Sequence, residues 1–212
     1  MKGNRILCVR NNGSIETIES FPKLEIHCLK NNSLVLIHES VLIRKRLYIR
    51  VGNNAFVNID KDVEVNNVTA NLADDKGTLS IGEGTAIGGA SINVNNEPNL
   101  EVIIGKKCLF STGIIIRACD GHTIFDMDAP SIAINPPRFG CHIGEHVWVG
   151  QNAVLLKDAR IPDNCIVGAG SVVSRKKYSP HSIIAGNPAK TIRTNISWDR
   201  SSIHEYLQQQ DV

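Results

Sequence analysis

The sequence predicts an all-β fold: a parallel β-helix of hexapeptide repeats, carrying one protruding loop and a short C-terminal helix. Three observations lead there. In "IGEHVWVGQNAVLLKDARIPDNCIVGAGSVV", residues 143–173, an aliphatic residue returns at every sixth position: Ile143, Val149, Leu155, Ile161, Val167 and Val173. Val147, Ala153, Ala159, Cys165 and Ser171, mostly small, stand four positions after the first five. Such a period matches neither a helix at 3.6 nor simple strand alternation at two. Six is even, however, so positions i and i+4 of an extended segment share a face. Three hexads, bent after each short strand, close a triangular coil of 18 residues, the interval from Ile143 to Ile161. Hexapeptide repeats are a mark of the parallel β-helix.

The second observation is a looser upstream series. Aliphatic-led stretches begin at 37, 59, 81, 104, 143 and 161, at intervals of 22, 22, 23, 39 and 18. The third is a series of polar pairs, Asn11-Asn12, Asn31-Asn32, Asn53-Asn54, Asp74-Asp75 and Asn95-Asn96, spaced 20 to 22 apart. Asn and Asp suit turns because they tolerate left-handed backbone angles and bond their own backbone.

Taken in order, residues 1–80 are expected to form irregular N-terminal coils and 81–175 the regular hexapeptide stack. The interval of 39 is one coil plus about twenty residues that must leave the helix. That predicts a loop over 118–140, "ACDGHTIFDMDAPSIAINPPRFG", with three prolines and little hexad register. A long excursion from a rigid scaffold is a usual place for chemistry. After Val173 the register stops, and 176–212 are expected to form a tail ending in a short helix. The whole reads as one structural domain.

Composition narrows the function. At 42% apolar and only 5% aromatic, the core must be built from Ile, Val, Leu and Ala. A net charge of +2, with no basic run interleaved with aromatics, argues against nucleic acid as partner. The opening "MKGNRILCVRNNGS" lacks the apolar core of a signal peptide, and no apolar run approaches a membrane span. The expected location is cytosolic, or at most peripheral at the inner membrane face. Cys8, Cys28, Cys108, Cys119, Cys141 and Cys165 form no C-x-x-C pair and read as reduced, structural thiols.

His122 stands out among seven histidines because it lies in the loop beside Asp120 and Gly121. It is either a solvated loop residue or a general base, since imidazole titrates near neutrality. Asp126 and Asp128 either orient it or serve as turn carboxylates. His142 and His146 read first as turn or surface residues. A metal site would need them to converge with His122, a lesser alternative. Trp148 precedes Val149 in the ladder, so its ring should point outward, toward an interface or a cleft. Arg175, Lys176, Lys177, Lys190 and Arg193 lie beside the end of the coils, as solvated surface or as an anion site.

The hexad stretch followed by "IIAGNPAK" resembles the hexapeptide-repeat acyltransferases, whose fold is a left-handed parallel β-helix. More narrowly, "IGKKCLFSTGIIIRACDGHTIF" and the closing "NISWDR" are similar to bacterial O-acetyltransferases of capsular and other surface polysaccharides. The resemblance covers about residues 81–200. It implies a homotrimer with active sites between subunits and acetyl-CoA as cosubstrate, with no metal. His122 would then be the catalytic base, and Trp148 would line the cleft. Gln151 and Ala169 would contact the pantetheine arm, although Gln151 stands where a small Ser is common. Ser174, Arg175, Lys190 and Arg193 would surround the nucleotide end. Asp120 and Arg117 are candidate acceptor residues, Arg117 as a partner for a carboxylate on an acidic glycan.

The expected reaction is acetyl transfer to a sugar hydroxyl, on a sialic acid or another surface sugar. The alternatives are transfer to a small amino sugar, nucleotide sugar or antibiotic, a three-histidine hydratase of the carbonic anhydrase type, and a non-catalytic β-helix. A serine acetyltransferase is disfavoured, because the opening third reads as strands and turns.

Overall fold

A hexad position points inward at every third-turn strand, so the same three aliphatic columns must rise through every coil. The computed structural model, which describes residues 2–210, contains those columns. On the first face, seven parallel strands stack from Arg5–Val9 to Ala159–Ile161, edged by Ile15–Thr17 running antiparallel. Their register aligns Cys8, Ile37, Ile59, Ile81, Ile104, Ile143 and Ile161. All six positions of the sequence series are therefore neighbours in one ladder, and each is at most 3% exposed.

The other two faces belong to one twelve-stranded sheet that bends round a corner. Leu42–Asn53, Glu64–Asp75 and Ala86–Asn93 run through that corner, and the later coils break there into short strands. The second face stacks Ile43, Val65, Ile87, Phe110, Val149, Val167 and Ile184. The third stacks Ile49, Ala70, Ile92, Ile116, Leu155 and Val173. These columns and the small inward residues, Val147, Ala153, Ala159, Cys165 and Ser171, are buried. An interior this uniformly aliphatic is stabilised mainly by removing apolar area from water, about 25 cal/mol per Å².

The ladder crosses residues 80 and 81 without a break. What distinguishes the early coils is their length, and the pairing of Leu42–Asn53 with Glu64–Asp75 shifts register by one residue at Ile43/Arg46 and returns at Val51/Asn53. Asn32, Asn54 and Asn96 take positive φ, as the polar pairs predict, and after Asp74-Asp75 that conformation falls to Lys76. Asp75 accepts hydrogen bonds from Asn53 Nδ2 and Asn54 Nδ2, both 2.8 Å, which ties one turn to the next.

The extra residues leave the stack between strands Ile114–Arg117 and Gly140–Ile143. They are not structureless, because Phe125–Asp126 and Ala129–Ala133 pair as an antiparallel hairpin. The C-terminal region is also more ordered than a plain tail. Ser182–Gly186 extends the second face and pairs with Ala189–Thr194. The helix Ile203–Gln210 follows. Its start is a capping box: Ser202 Oγ accepts from Glu205 N–H, and Glu205 Oε2 accepts from Ser202 N–H. No helix among the described residues is long and apolar enough to cross a membrane.

Candidate functional site

The excursion presents His122 on its exposed side. The imidazole has no hydrogen-bond partner among the described residues, but the backbone around it is held tightly. Asn135 Nδ2 donates to the His122 carbonyl at 2.8 Å and to Asp120 Oδ2 at 3.0 Å. Asn135 Oδ1 accepts from Ile124 N–H at 2.8 Å. Lys157 Nζ, from the next coil, donates to the Asn135 carbonyl at 2.8 Å and pairs with Asp120. Asn96 Nδ2 donates to the Gly121 carbonyl at 3.1 Å. Gly121 itself has φ +89, with the Arg117 guanidinium lying against it.

Two acidic candidates thus hold the loop together. Burial disfavours the Asp120 carboxylate, yet hydrogen bonds from Lys157 and Asn135 and the charges of Lys157 and Arg117 outweigh it, lowering its pKa. Asp126 Oδ1 accepts from Asp128 N–H at 2.9 Å, so Asp126 serves the hairpin turn.

Beneath the loop root lies a cavity of about 320 Å³, lined by Asp120, Asn135, Lys157, Asp158, Ser174 and Arg175. This cavity sits where the third face turns into the first. A separate groove of about 370 Å³ lies where the second face turns into the third. Trp148, Gln151, Ala169, Ile166, Gly150 and Gly168 line it. The Trp148 ring points outward, 40% exposed, as its place before Val149 requires. Lys190 and Arg193 stand exposed on the outer strand Ala189–Thr194. Within one chain, then, the candidates fall into separate groups. His122, Asp120, Arg117, Ser174 and Arg175 belong to one corner, and Trp148, Gln151 and Ala169 to another.

His142 and His146 do not converge with His122 within the chain. His142 Nε2 meets Glu101 Oε1 at 2.6 Å, and His146 Nδ1 meets Asn164 Oδ1 at 2.9 Å. The described residues hold no group of three metal-ligating side chains.

Trp198 is a residue that hexad reasoning missed. It is 9% exposed, stacks on the His146 ring at 4.4 Å, and donates from Nε1 to the His146 carbonyl at 2.8 Å. Its ring lies 6.0 Å from that of Trp148. Arg200 donates to the carbonyls of Gly84 and Cys108, which pins the returning tail to two earlier coils. The signal in the sequence was a lone tryptophan in a polar tail, one of only two in the chain. Trp148, Trp198, Tyr206 and Ile166 wall a second groove of about 710 Å³ that adjoins the first.

The six cysteines are free thiols. Burial pushes Cys108 up to about 11 and Cys141 up to about 12, so both are neutral packing groups near neutral pH.

Comparison with known proteins agrees with this architecture. Residues 140–175 match the family described as bacterial transferase hexapeptide (six repeats). The chain is 31% identical over 199 residues to a polysialic acid O-acetyltransferase of Neisseria meningitidis, covering 94% of this chain and 90% of that protein. It is 34% identical over 127 residues to the corresponding protein of Escherichia coli O1:K1 / APEC. That match spans 60% of this chain and 40% of the relative's length. Among solved structures, the polySia specific acetyltransferase NeuO superposes with a TM-score of 0.77 at 25% identity, over 99% of this chain and 95% of that one.

Proposed function

The chain belongs to the hexapeptide-repeat O-acetyltransferase family that includes the polysialic acid enzymes, and on that premise we propose that it moves an acetyl group from acetyl-CoA to a hydroxyl of a capsular or other surface polysaccharide, with His122 as general base. The observation that carries this reading is the coincidence of two facts. The likeness to the Neisseria meningitidis enzyme runs nearly the full chain, and the stack has a large excursion that presents an imidazole to solvent.

In this reading, His122 takes the proton of the acceptor hydroxyl as the oxygen attacks the thioester carbonyl. The carbon–sulfur bond breaks, and the imidazolium returns the proton to the departing thiolate of CoA. Charge on the carbonyl oxygen needs a donor, for which backbone N–H groups at a coil turn are suited. Gln151 and Ala169 contact the pantetheine arm, and Ser174, Arg175, Lys190 and Arg193 take the nucleotide end. Arg117 pairs with a carboxylate of an acidic acceptor, and Trp148 walls the cleft.

The separation of these residues onto two edges of one prism favours a homotrimer. A closed head-to-tail ring sets one edge of each copy against the other edge of its neighbour. His122 of one copy would then face Trp148, Gln151 and Ala169 of the next.

The test follows free thiol while the protein is incubated with acetyl-CoA and a panel of acidic and neutral glycans. Thiol release with acidic glycans is expected. His122→Ala should lower kcat by about 10²–10⁴, the usual worth of a positioned base, with acetyl-CoA binding nearly intact. Parental turnover in that variant would remove His122 from the role. Absence of thiol release with every glycan would shift the acceptor to a small molecule.

A further inference from the structure

Asp158 occupies a position where the backbone is left-handed, with φ +59, and its side chain is 1% exposed. Non-glycine residues are uncommon there, Asp and Asn being the best tolerated. Its Oδ1 accepts from Arg138 N–H at 2.8 Å and Phe139 N–H at 3.2 Å. Those are the two residues through which the excursion rejoins the stack. The Asp158 N–H in turn donates to the Gly140 carbonyl at 2.5 Å. Oδ2 has no hydrogen bond among the described residues, and the Arg175 guanidinium stands 3.8 Å away. A buried carboxylate is costly unless it is compensated. Here the compensation is two amides of the loop and one cation from the coil end.

The preceding residue holds the opposite end of the same excursion. Lys157 Nζ binds Asp120 and the Asn135 carbonyl, and Asn135 binds the His122 carbonyl. A connected path therefore runs from one corner of the coil below to the backbone of His122.

We infer that Lys157 and Asp158 form a two-residue anchor that positions His122, Lys157 gripping the outgoing root and Asp158 the returning root of the loop. The inference rests on the reading of His122 as the base, and neither anchor residue touches the reacting groups. The exposed hairpin cannot position itself, because it shares no hydrophobic column with the stack. Two consecutive side chains of a rigid coil supply what it lacks.

The experiment compares Asp158→Gly with Asp158→Asn in the full-length protein. Gly takes a positive φ without steric cost and Asn tolerates it, so backbone strain cannot explain a loss seen in Asp158→Gly, and only Asn retains an oxygen acceptor for the two amides. Two measurements are made: steady-state kinetics, and hydrogen exchange over residues 119–139. Asp158→Gly should speed exchange in the loop at least about tenfold, while the aliphatic ladders stay protected. Its kcat at saturating acetyl-CoA should fall about 10- to 100-fold, as a displaced base predicts, whereas any change in the KM for acetyl-CoA from removing the charge beside Arg175 should be shared by Asp158→Asn. Asp158→Asn should recover most of both.

Faster loop exchange with parental kcat would overturn the inference, as would identical behaviour of the Gly and Asn variants. Should Asp158→Gly fail to fold, Lys157→Met must show the same kcat loss and loosen residues 119–124, or the anchor is wrong. If no acceptor elicits thiol release from the parent, acetyl transfer itself fails. The exchange comparison then decides the anchor alone, since unaltered loop exchange in Asp158→Gly would still exclude it.

Discussion

The carboxylate of Asp120 is stabilised in its charged form, because hydrogen bonds and nearby cations outweigh its partial burial. A depressed folded pKa makes a contribution that is fully present above the ordinary carboxylate value near ~3.9 and is lost as pH falls through the lower folded value. The loop root should therefore stay fastened throughout the neutral and mildly acidic range and loosen only below about pH 4. Proteolysis of the loop followed from pH 6 to pH 3 reads this directly. Asp120→Asn should cleave faster at pH 6 and show a flatter acid dependence. Coincident profiles for parent and variant would mean that the Lys157 pair does not hold the loop. At the same scale, Trp198 shows how one aromatic group organises a polar tail. Its stacking on His146 and its bond to the His146 carbonyl join residues 52 positions apart.

The excursion depends on its two junctions, and the returning one is the tighter. Gly140 has φ +116, and a Cβ there would lie 2.1 Å from the Glu101 carbonyl oxygen, a strand neighbour in the first face. Gly140→Ala should thus cost at least about 1–3 kcal/mol, the range for a non-glycine residue forced into such a conformation, with the backbone clash in addition. Gly170→Ala is the comparison. Its φ is also positive, at +67, but open space surrounds the new methyl group, so only the conformational cost remains. Urea midpoints measured on both should fall in that order. Equal midpoints would mean that the first face can shift to admit a side chain beside Glu101.

On the scale of the whole molecule, the two edges of the prism carry different halves of the proposed chemistry. His122 lies with the loop at one corner, and Trp148, Gln151 and Ala169 lie at another. A site shared between copies predicts complementation. Mixing His122→Ala with Trp148→Ala subunits, each nearly inactive alone, should restore about a quarter of parental activity after random reassembly at equal ratio. Three quarters of such trimers are mixed, and every mixed ring has one seam with both residues intact. No recovery, with mixed trimers verified by mass, would mean that the two residues serve one chain.

Much of this molecule was legible in its residues alone. The ladder from Ile37 to Ile161, the 18-residue coil and the departure of a long excursion after strand Ile114–Arg117 follow from spacing. Each coil contacts mainly its neighbours, so the core is written locally and repeats. Outward Trp148 and the neutral thiols follow from the same alternation of inside and outside. Only the tertiary structure could decide that Asp158 is a clamp rather than a turn residue, that Asn135 and Lys157 hold the His122 backbone, and that Trp198 lies beside Trp148. These contacts join segments with no common period, through polar groups whose partners depend on how the excursion and the tail fold back. Periodicity reports what is buried in the stack. It does not say where a chain that leaves the stack returns to it.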